Sequence, residues 1–475
     1  MKKTFERRAV AAVLACCCAA PVWAQEGSAP TGSTQVASDA LAPAVDGSAF
    51  SDAAPADSGL IPEDERYALH GQSTYVWQRK PSFASPYEGE NSLQGKKAKS
   101  YSFTATVDLG LRLWEGAEFH VNGEGARGQA FSGLHGLGGL TNGELAKTAG
   151  ADMVYYRART FLRQTWGLGG GREAVEGDMN QLTGGQDKRR VVLTVGTVSM
   201  LDIFDSLESA HDPRTQFLNW SFLTHGSFDY AADSRGYTSG AALEYIDDGW
   251  AVRAGRFMMP KESNGLPLDT RLGKHYGDQI EFEKQYQAGN RPGTARIIGF
   301  RNKTRMADFG EAIAAGRAAG TAPELDNVRR EHAKVGVGIG FDQSVTDDVN
   351  AFMRASWSDG KTETYAFTEI DRAVSAGVVV KGTQWSRPYD TVGAAVAVNA
   401  LSRTHRGYLA AGGIGPFLGD GALNYGVEQI AETYYSWRPF KYFWLTGDAQ
   451  YIRNPGYNRD RGPAKVFSVR LHTQF

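Results

Sequence analysis

The chain has 475 residues, with 51 basic against 53 acidic side chains, a formal charge of −2 and a mean hydropathy of −0.38. No basic arm or patch stands out, which argues against a nucleic-acid partner, and the lack of a long apolar run excludes a helical membrane protein. A transmembrane barrel stays open, because its strands are apolar on one face only.

At the N-terminus, Lys2, Lys3, Arg7 and Arg8 precede an apolar run from Ala9 to Ala20, and "VWAQ" offers a small-residue cleavage site after Ala24. Residues 1–24 read as a secretory signal peptide, too short to span a bilayer. Lipidation at Cys16 in "VLAC" is a weaker rival, since it leaves the apolar region very short. All three cysteines, Cys16, Cys17 and Cys18, lie in this segment. The exported chain is expected to use neither disulfides nor thiolate ligands, and its balance becomes 47 basic against 52 acidic, or −5.

Residues 25–66 are rich in Ala, Ser, Asp, Pro and Gly and read as a flexible periplasmic leader. From Tyr67 onward, period-two segments recur without helical periodicity. In "YALHGQSTYVWQ", Tyr67, Leu69, Tyr75 and Trp77 oppose His70, Gln72, Thr74 and Gln78. In "YSFTATVDLGLRLW", Phe103, Ala105, Val107, Leu109, Leu111 and Leu113 oppose Thr104, Thr106, Asp108 and Arg112. "KVGVGIGFDQ" aligns Val335, Val337, Ile339 and Phe341, and "VNAFMRASWS" aligns Val349, Ala351, Met353 and Trp357. "NYGVEQIAETYYSW" sets Tyr425, Val427, Ala431, Tyr435 and Trp437 against Glu428 and Glu432.

Sixteen strands are expected, at 67–78, 101–114, 118–130, 153–166, 190–198, 236–246, 250–258, 278–287, 294–302, 333–343, 349–358, 373–382, 389–402, 422–437, 442–452 and 464–475. Links such as "EGA", "DDG" and "RPFKY" are short and alternate with long ones such as 79–100, 131–152, 303–332 and 403–421. An even-stranded transmembrane barrel has this rhythm, with tight periplasmic turns and long external loops. Residues 167–189 interrupt it, being long where a short turn belongs. A sandwich, β-helix or propeller would also alternate, but no repeat of fixed period is present. Nor would those folds explain aromatics at strand ends, among them Trp77, Trp114, Trp166, Trp357, Tyr435 and Trp437, which suit interface girdles. The last strand, "VFSVRLHTQF", can stop abruptly at Phe475 if its edge pairs with the strand near Tyr67. The fold class expected is all-β: one sixteen-stranded transmembrane antiparallel β-barrel over residues 67–475.

Enzyme signatures are largely missing. HExxH, P-loop, CxxC and GxSxG are absent, "GLGGGR" at 167–172 lacks the third glycine of a dinucleotide fingerprint, and nine histidines show no metal-ligand spacing. No enzyme activity, cofactor or metal is expected, the one enzymatic alternative being a Ser/His/Asp set assembled from distant strands.

The link 199–235 is unlike a solvated loop, since it carries Leu201, Ile203, Phe204, Phe217, Leu218, Trp220, Phe222 and Leu223. These need burial, which an inward fold of 199–223 would supply, leaving Asp202, Asp205, Asp212 and Arg214 to face a narrowed opening. A compact external cap is the alternative. Strand parity places Asp108, Arg112, Glu244, Glu281, Glu283, Arg354, Glu428, Glu432, Asp448 and Arg470 in the lumen. The candidate pore constriction is therefore Asp202, Asp205, Arg214 and Trp220 with Arg112, Arg354, Glu428, Glu432 and Arg470. Mixed charges can hydrogen-bond sugar hydroxyls, whereas a strongly basic lining would suggest anions.

"VGTVSMLDIFDS", "HDPRTQFLNW", "FDYAADSRGYTSGAALEY", "GPFLGDG", "ETYYSW" and "QYIRNPGYNRDRGPA", with the terminal "VRLHTQF", together resemble the bacterial carbohydrate-selective outer-membrane porin family. The resemblance implies a sixteen-stranded outer-membrane barrel for passive diffusion of small sugars, with charged and aromatic residues at its constriction. It also implies that Phe475 is read by the barrel-assembly machinery. Either a monomer or a homotrimer in outer-membrane lipid would suit it. A polysaccharide exporter of the alginate-export kind is the functional alternative, and would need a strongly basic lumen.

Overall fold

The computed structural model describes residues 61–148 and 150–475; the segment expected to be a signal peptide and most of the expected leader lie outside the described residues. In chain order the strands are β1 (Tyr67–Lys80), β2 (Ala98–Trp114), β3 (Ala117–Gln129), β4 (Val154–Gly167), β5 (Arg172–Val175), β6 (Gly184–Asp187), β7 (Arg190–Val198), β8 (Thr238–Asp247) and β9 (Trp250–Phe257). They continue as β10 (Tyr276–Ala288), β11 (Arg291–Ala307), β12 (Arg329–Ser344), β13 (Val349–Ser358), β14 (Arg372–Gly382), β15 (Arg387–Ala400), β16 (Glu428–Phe440), β17 (Phe443–Arg453) and β18 (Ala464–Gln474). All but β5 and β6 close into one barrel of sixteen strands, each antiparallel to its neighbours in sequence.

The closing seam pairs β1 with β18 from Gln72↔Gln474 to Arg79↔Phe467. Reciprocal backbone hydrogen bonds of 3.0 Å between Gly71 and Phe475 extend it to the last residue. A sheet in hydrocarbon must close in this way, because lipid satisfies no backbone donor or acceptor. The two-faced strands follow from the same surroundings. Val107, Leu109, Val396, Val398, Phe467, Val469 and Leu471 are exposed on the outer face, while Thr104, Thr106, Asp108, Arg470 and His472 are buried inside. Trp114, Trp166, Trp385, Trp437, Phe440 and Tyr442 form an exposed aromatic rim at the turn end.

Every expected strand is present, with shifted ends. The segment expected at 422–437 begins as a strand only at Glu428. Before it, Tyr425 bridges Asn458 and the Gly426 N–H donates to the Tyr457 carbonyl, so 424–427 belongs to a loop pairing above the barrel. Strand β11 runs longer than expected, because its ladder with β12 continues up to Ala307↔Arg329.

The interruption at 167–189 is an ordered hairpin, β5–β6, standing at the turn end where the sequence rhythm asked for a tight turn. Its tip enters the barrel mouth. The Asn180 N–H donates to Asp108 at 2.8 Å, Arg163 donates to the Asn180 carbonyl at 2.9 Å, and Leu182 is buried. Gly110 makes room for Leu182, since a Cβ there would lie 2.9 Å from its methyl carbon. Residues 61–66 join this unit: Glu65 N–H donates to the Thr183 carbonyl, and Arg112 donates to the carbonyls of Glu65 and Thr183.

At the loop end, the helix Arg403–Ala410 seats His405 between Glu369 (3.2 Å) and Asp371 (3.0 Å). Burial lowers the His405 pKa, but the Asp371 and Glu369 carboxylates outweigh it and hold the imidazole up at about 9. A folded value above the ordinary 6.5 contributes stability that is full below that pH and is lost as pH rises through about 9. Trypsin cleavage at Arg403 and Arg406 in the purified barrel should therefore accelerate between pH 7 and 10. His405→Gln should be cut fast at all these values, and a pH-independent rate in the parent would refute the clamp.

Candidate functional site

Residues 199–237, between β7 and β8, fold into the barrel and reach inward side chains around most of its circumference. The apolar residues that made this link unusual pack inside: Phe204, Phe217 and Phe222 are buried, Phe217 lies 5.7 Å from Phe352 and 5.0 Å from Tyr434, and Trp220 lies 4.7 Å from Phe367, ring to ring. The wall is shaped to receive them. The inward row of β12 is Gly336, Gly338 and Gly340, and a Cβ at Gly338 or Gly340 would lie 2.8 Å from His225 or 2.9 Å from Leu207.

Polar anchors fix the fold. Arg354 on β13 meets Asp205 at 3.1 Å and donates to the Phe222 carbonyl at 2.8 Å; neither charged side chain is more than 2% exposed. Asp205 also accepts from Thr224 and from the His225 N–H, while its own N–H donates to Glu281 at 2.7 Å. Burial raises the Asp205 pKa, but Arg354 outweighs it and brings the carboxyl down to about 2. Burial holds His225 at about 4, so it is neutral beside that carboxylate. Further round, Asp342 accepts from the Glu208 N–H, Glu432 from the N–H groups of Leu218 and Asn219, and Arg470 donates to the carbonyls of Pro213 and Gln216. Every such bond spares a buried loop amide or carbonyl from going unpaired.

These contacts revise several sequence expectations. Asp205, Arg354, Glu432 and Arg470 were expected to face the opening, but they are buried in bonds to the loop backbone and hold it in place. Glu428 is likewise spent on the N–H groups of Gly138 and Gly456. Arg112 lies at the turn end, with Glu118 and the hairpin, away from the others.

Asp202, Arg214 and Trp220 do come together, around a cavity of about 160 Å³. Its other ionisable walls include Glu144, Lys147, Arg159, His211, Asp212 and Arg235. Arg159 and Asp202 form a two-point pair with both bonds at 2.7 Å, and Arg214 spans Glu144 at 3.1 Å and Glu124 at 3.5 Å. Lys147 donates to the Tyr237 hydroxyl at 3.0 Å, and the Arg235 guanidinium sits 4.1 Å over the Tyr156 ring. Burial works against charge at Asp202 and Arg214, yet the partners prevail: the Asp202 pKa falls and the Arg214 pKa rises, and both stay ionised. Burial depresses the His211 pKa. Trp220, 5% exposed, forms the floor rather than a stacking face.

Sequence parity had not singled out Glu124, Glu144, Lys147 or Arg159. Glu124 sits on the inward row of β3 and could have been found by the same parity. Glu144 and Lys147 sit on a short turn of helix, Gly143–Lys147, inside the link 130–153, where no strand parity applies.

A closed barrel with an apolar outer belt and a charged interior narrowed by its own loop defines a porin-type channel of the outer membrane. The chain belongs to the carbohydrate-selective porin, OprB family, whose sequence profile matches residues 94–475. The high-pH structure of Pseudomonas putida OprB superposes with a TM-score of 0.66 at 16% identity, over 86% of this chain and 94% of that one, a likeness of fold. The low-pH form of the same protein gives 0.46 at 14% identity over 86% and 93%, and the Acinetobacter baumannii channel DcaP gives 0.47 at 10% over 88% and 99%. No curated protein matches the chain.

Arg354→Ala should strip Asp205 of its partner, at a cost of about 3–5 kcal/mol for a broken buried pair. The variant barrel should unfold at lower temperature in detergent and show noisier, larger single-channel currents. Quiet channels of parent conductance would show that the pair does not hold the loop.

Proposed function

We propose that the protein is a passive outer-membrane channel favouring small neutral carbohydrates, with the cavity around Asp202 and Arg214 as its selective passage. The observation that carries this is charge balance at close range. Lys147, Arg159, Arg214 and Arg235 stand among Glu124, Glu144, Asp202 and Asp212, four cations among four carboxylates. Such a lining attracts neither anions nor cations strongly, yet it offers many fixed donors and acceptors to hydroxyl groups. A charge-assisted hydrogen bond is worth about 1.5–3 kcal/mol before the sugar's own hydration is subtracted. Net binding stays weak, as transit demands.

An exporter of acidic polysaccharide would need basic groups free for its cargo, and Arg159 and Arg214 are committed to carboxylates. In this reading the barrel carries out no reaction, Phe475 is the residue engaged by the barrel-assembly machinery, and the functional unit in outer-membrane lipid is a monomer or a homotrimer.

Liposome swelling provides the test. Glucose and maltose should enter faster than amino acids of similar size, and glucose faster than glucuronate. Equal rates for all would leave a porin without sugar preference. Arg214→Ala should leave Glu144 without its cation and Glu124 with Lys147 alone, reduce the sugar advantage several-fold and shift the reversal potential in a salt gradient toward cation selectivity. An unchanged reversal potential would remove Arg214 from the passage.

A further inference from the structure

The outer surface of the barrel carries a feature that sugar passage does not use. A groove of about 780 Å³ crosses the lipid-facing side of β13 to β18, past Ala351, Ala376, Ala394, Ala431 and Ala449 to Lys465. That volume lies within the usual range of ligand pockets, about 300–1,000 Å³. The register gives it direction. Ala394 lies opposite Val378 and Thr433, Ala431 opposite Tyr451, and Tyr451 opposite Lys465. Ala351 is near the turn end of β13, whereas Lys465 is near the loop end of β18. Barrel strands tilt by roughly 35–45°, so a line across them also crosses the membrane. The groove thus climbs from the periplasmic side to the outer leaflet.

Its upper end is cationic. Lys465 has Arg453 on neighbouring β17 and Arg79 on neighbouring β1, where Arg79 lies opposite Phe467; one strand further, Lys99 on β2 lies opposite Arg79. All four side chains are exposed, and among the described residues none has an acidic partner. On the strands themselves, the outward carboxylates Asp278 and Glu331 near the loop ends lie away from this spot and are already paired with Arg256 and Lys274. The outward strand face of another copy would therefore bring no unpaired carboxylate to this spot.

We propose that this surface binds one anionic, phosphorylated lipid of the outer leaflet, with its phosphate held by Arg79, Lys99, Arg453 and Lys465 and an acyl chain lying in the groove. Clustered Lys and Arg at the membrane surface attract anionic headgroups, and guanidinium groups pair well with phosphate. An alanine-lined channel between larger neighbours such as Val378, Val396 and Phe467 gives a flexible chain a place to pack.

Native mass spectrometry of the folded full-length barrel, released from detergent with added lipid A, tests the proposal. Bisphosphorylated lipid A should bind at one copy per chain and at least tenfold more tightly than its dephosphorylated form or phosphatidylethanolamine. The variant Arg79→Ser/Lys99→Ser/Arg453→Ser/Lys465→Ser should lose that preference while keeping the heat-modifiable migration of a folded barrel. A second variant, Ala394→Leu/Ala431→Leu, leaves every charge in place and should weaken binding by filling the groove. Equal binding of phosphorylated and dephosphorylated lipid would overturn the proposal. So would full retention in either folded variant, or a lipid-free oligomer of the chain that the leucine variant disperses.

Discussion

Hydrocarbon around the barrel offers no hydrogen bonds, and most of the structure can be traced to that constraint. It forces the sheet to close, so β18 must meet β1 and the ladder runs to Phe475. It turns every apolar row outward, which makes the interior the place for charge. A wet, charged interior can then receive a long loop only if the loop's backbone finds partners there. Asp205, Arg354, Glu432, Asp342 and Arg470 supply them. Beside Asp202 and Arg214 those bonds leave a cavity.

The barrel was legible because its signal is local and repeated. Alternation fixes which face each residue takes, and the short-long rhythm of links fixes the count, so each of the sixteen expected strands has its counterpart. Where pairing rather than alternation decides, the sequence misled. Tyr425 and Val427 continue the alternating pattern of β16, yet Gly426 bonds to Tyr457 because β17 has already ended at Arg453.

The site was legible in part, for a reason visible in particular residues. Parity says that Arg354 and Glu432 point inward, but cannot say whether water or a loop amide waits for them. The loop's apolar residues predicted that it would fold in, and its own charges then divided: Asp202 and Arg214 reached the cavity, while Asp205 went to ground against Arg354. A signal for this was present in "KVGVGIGF". Valine and isoleucine make the outer row there, and three glycines on the inner row leave a bare strip of wall on which His225 and Leu207 press. Glycine on the inner face of alternate positions is a footprint of something lying against it.

The hairpin at the turn end makes the outlet lopsided. It stands over the sector of β18, β2 and β4 through Gln474, Asp108 and Arg163, while elsewhere the rim carries turns as brief as 248–249 and 289–290. The rim at the turn end is therefore of unequal height, and its tall part is built by a segment separate from the inward-folded loop 199–237.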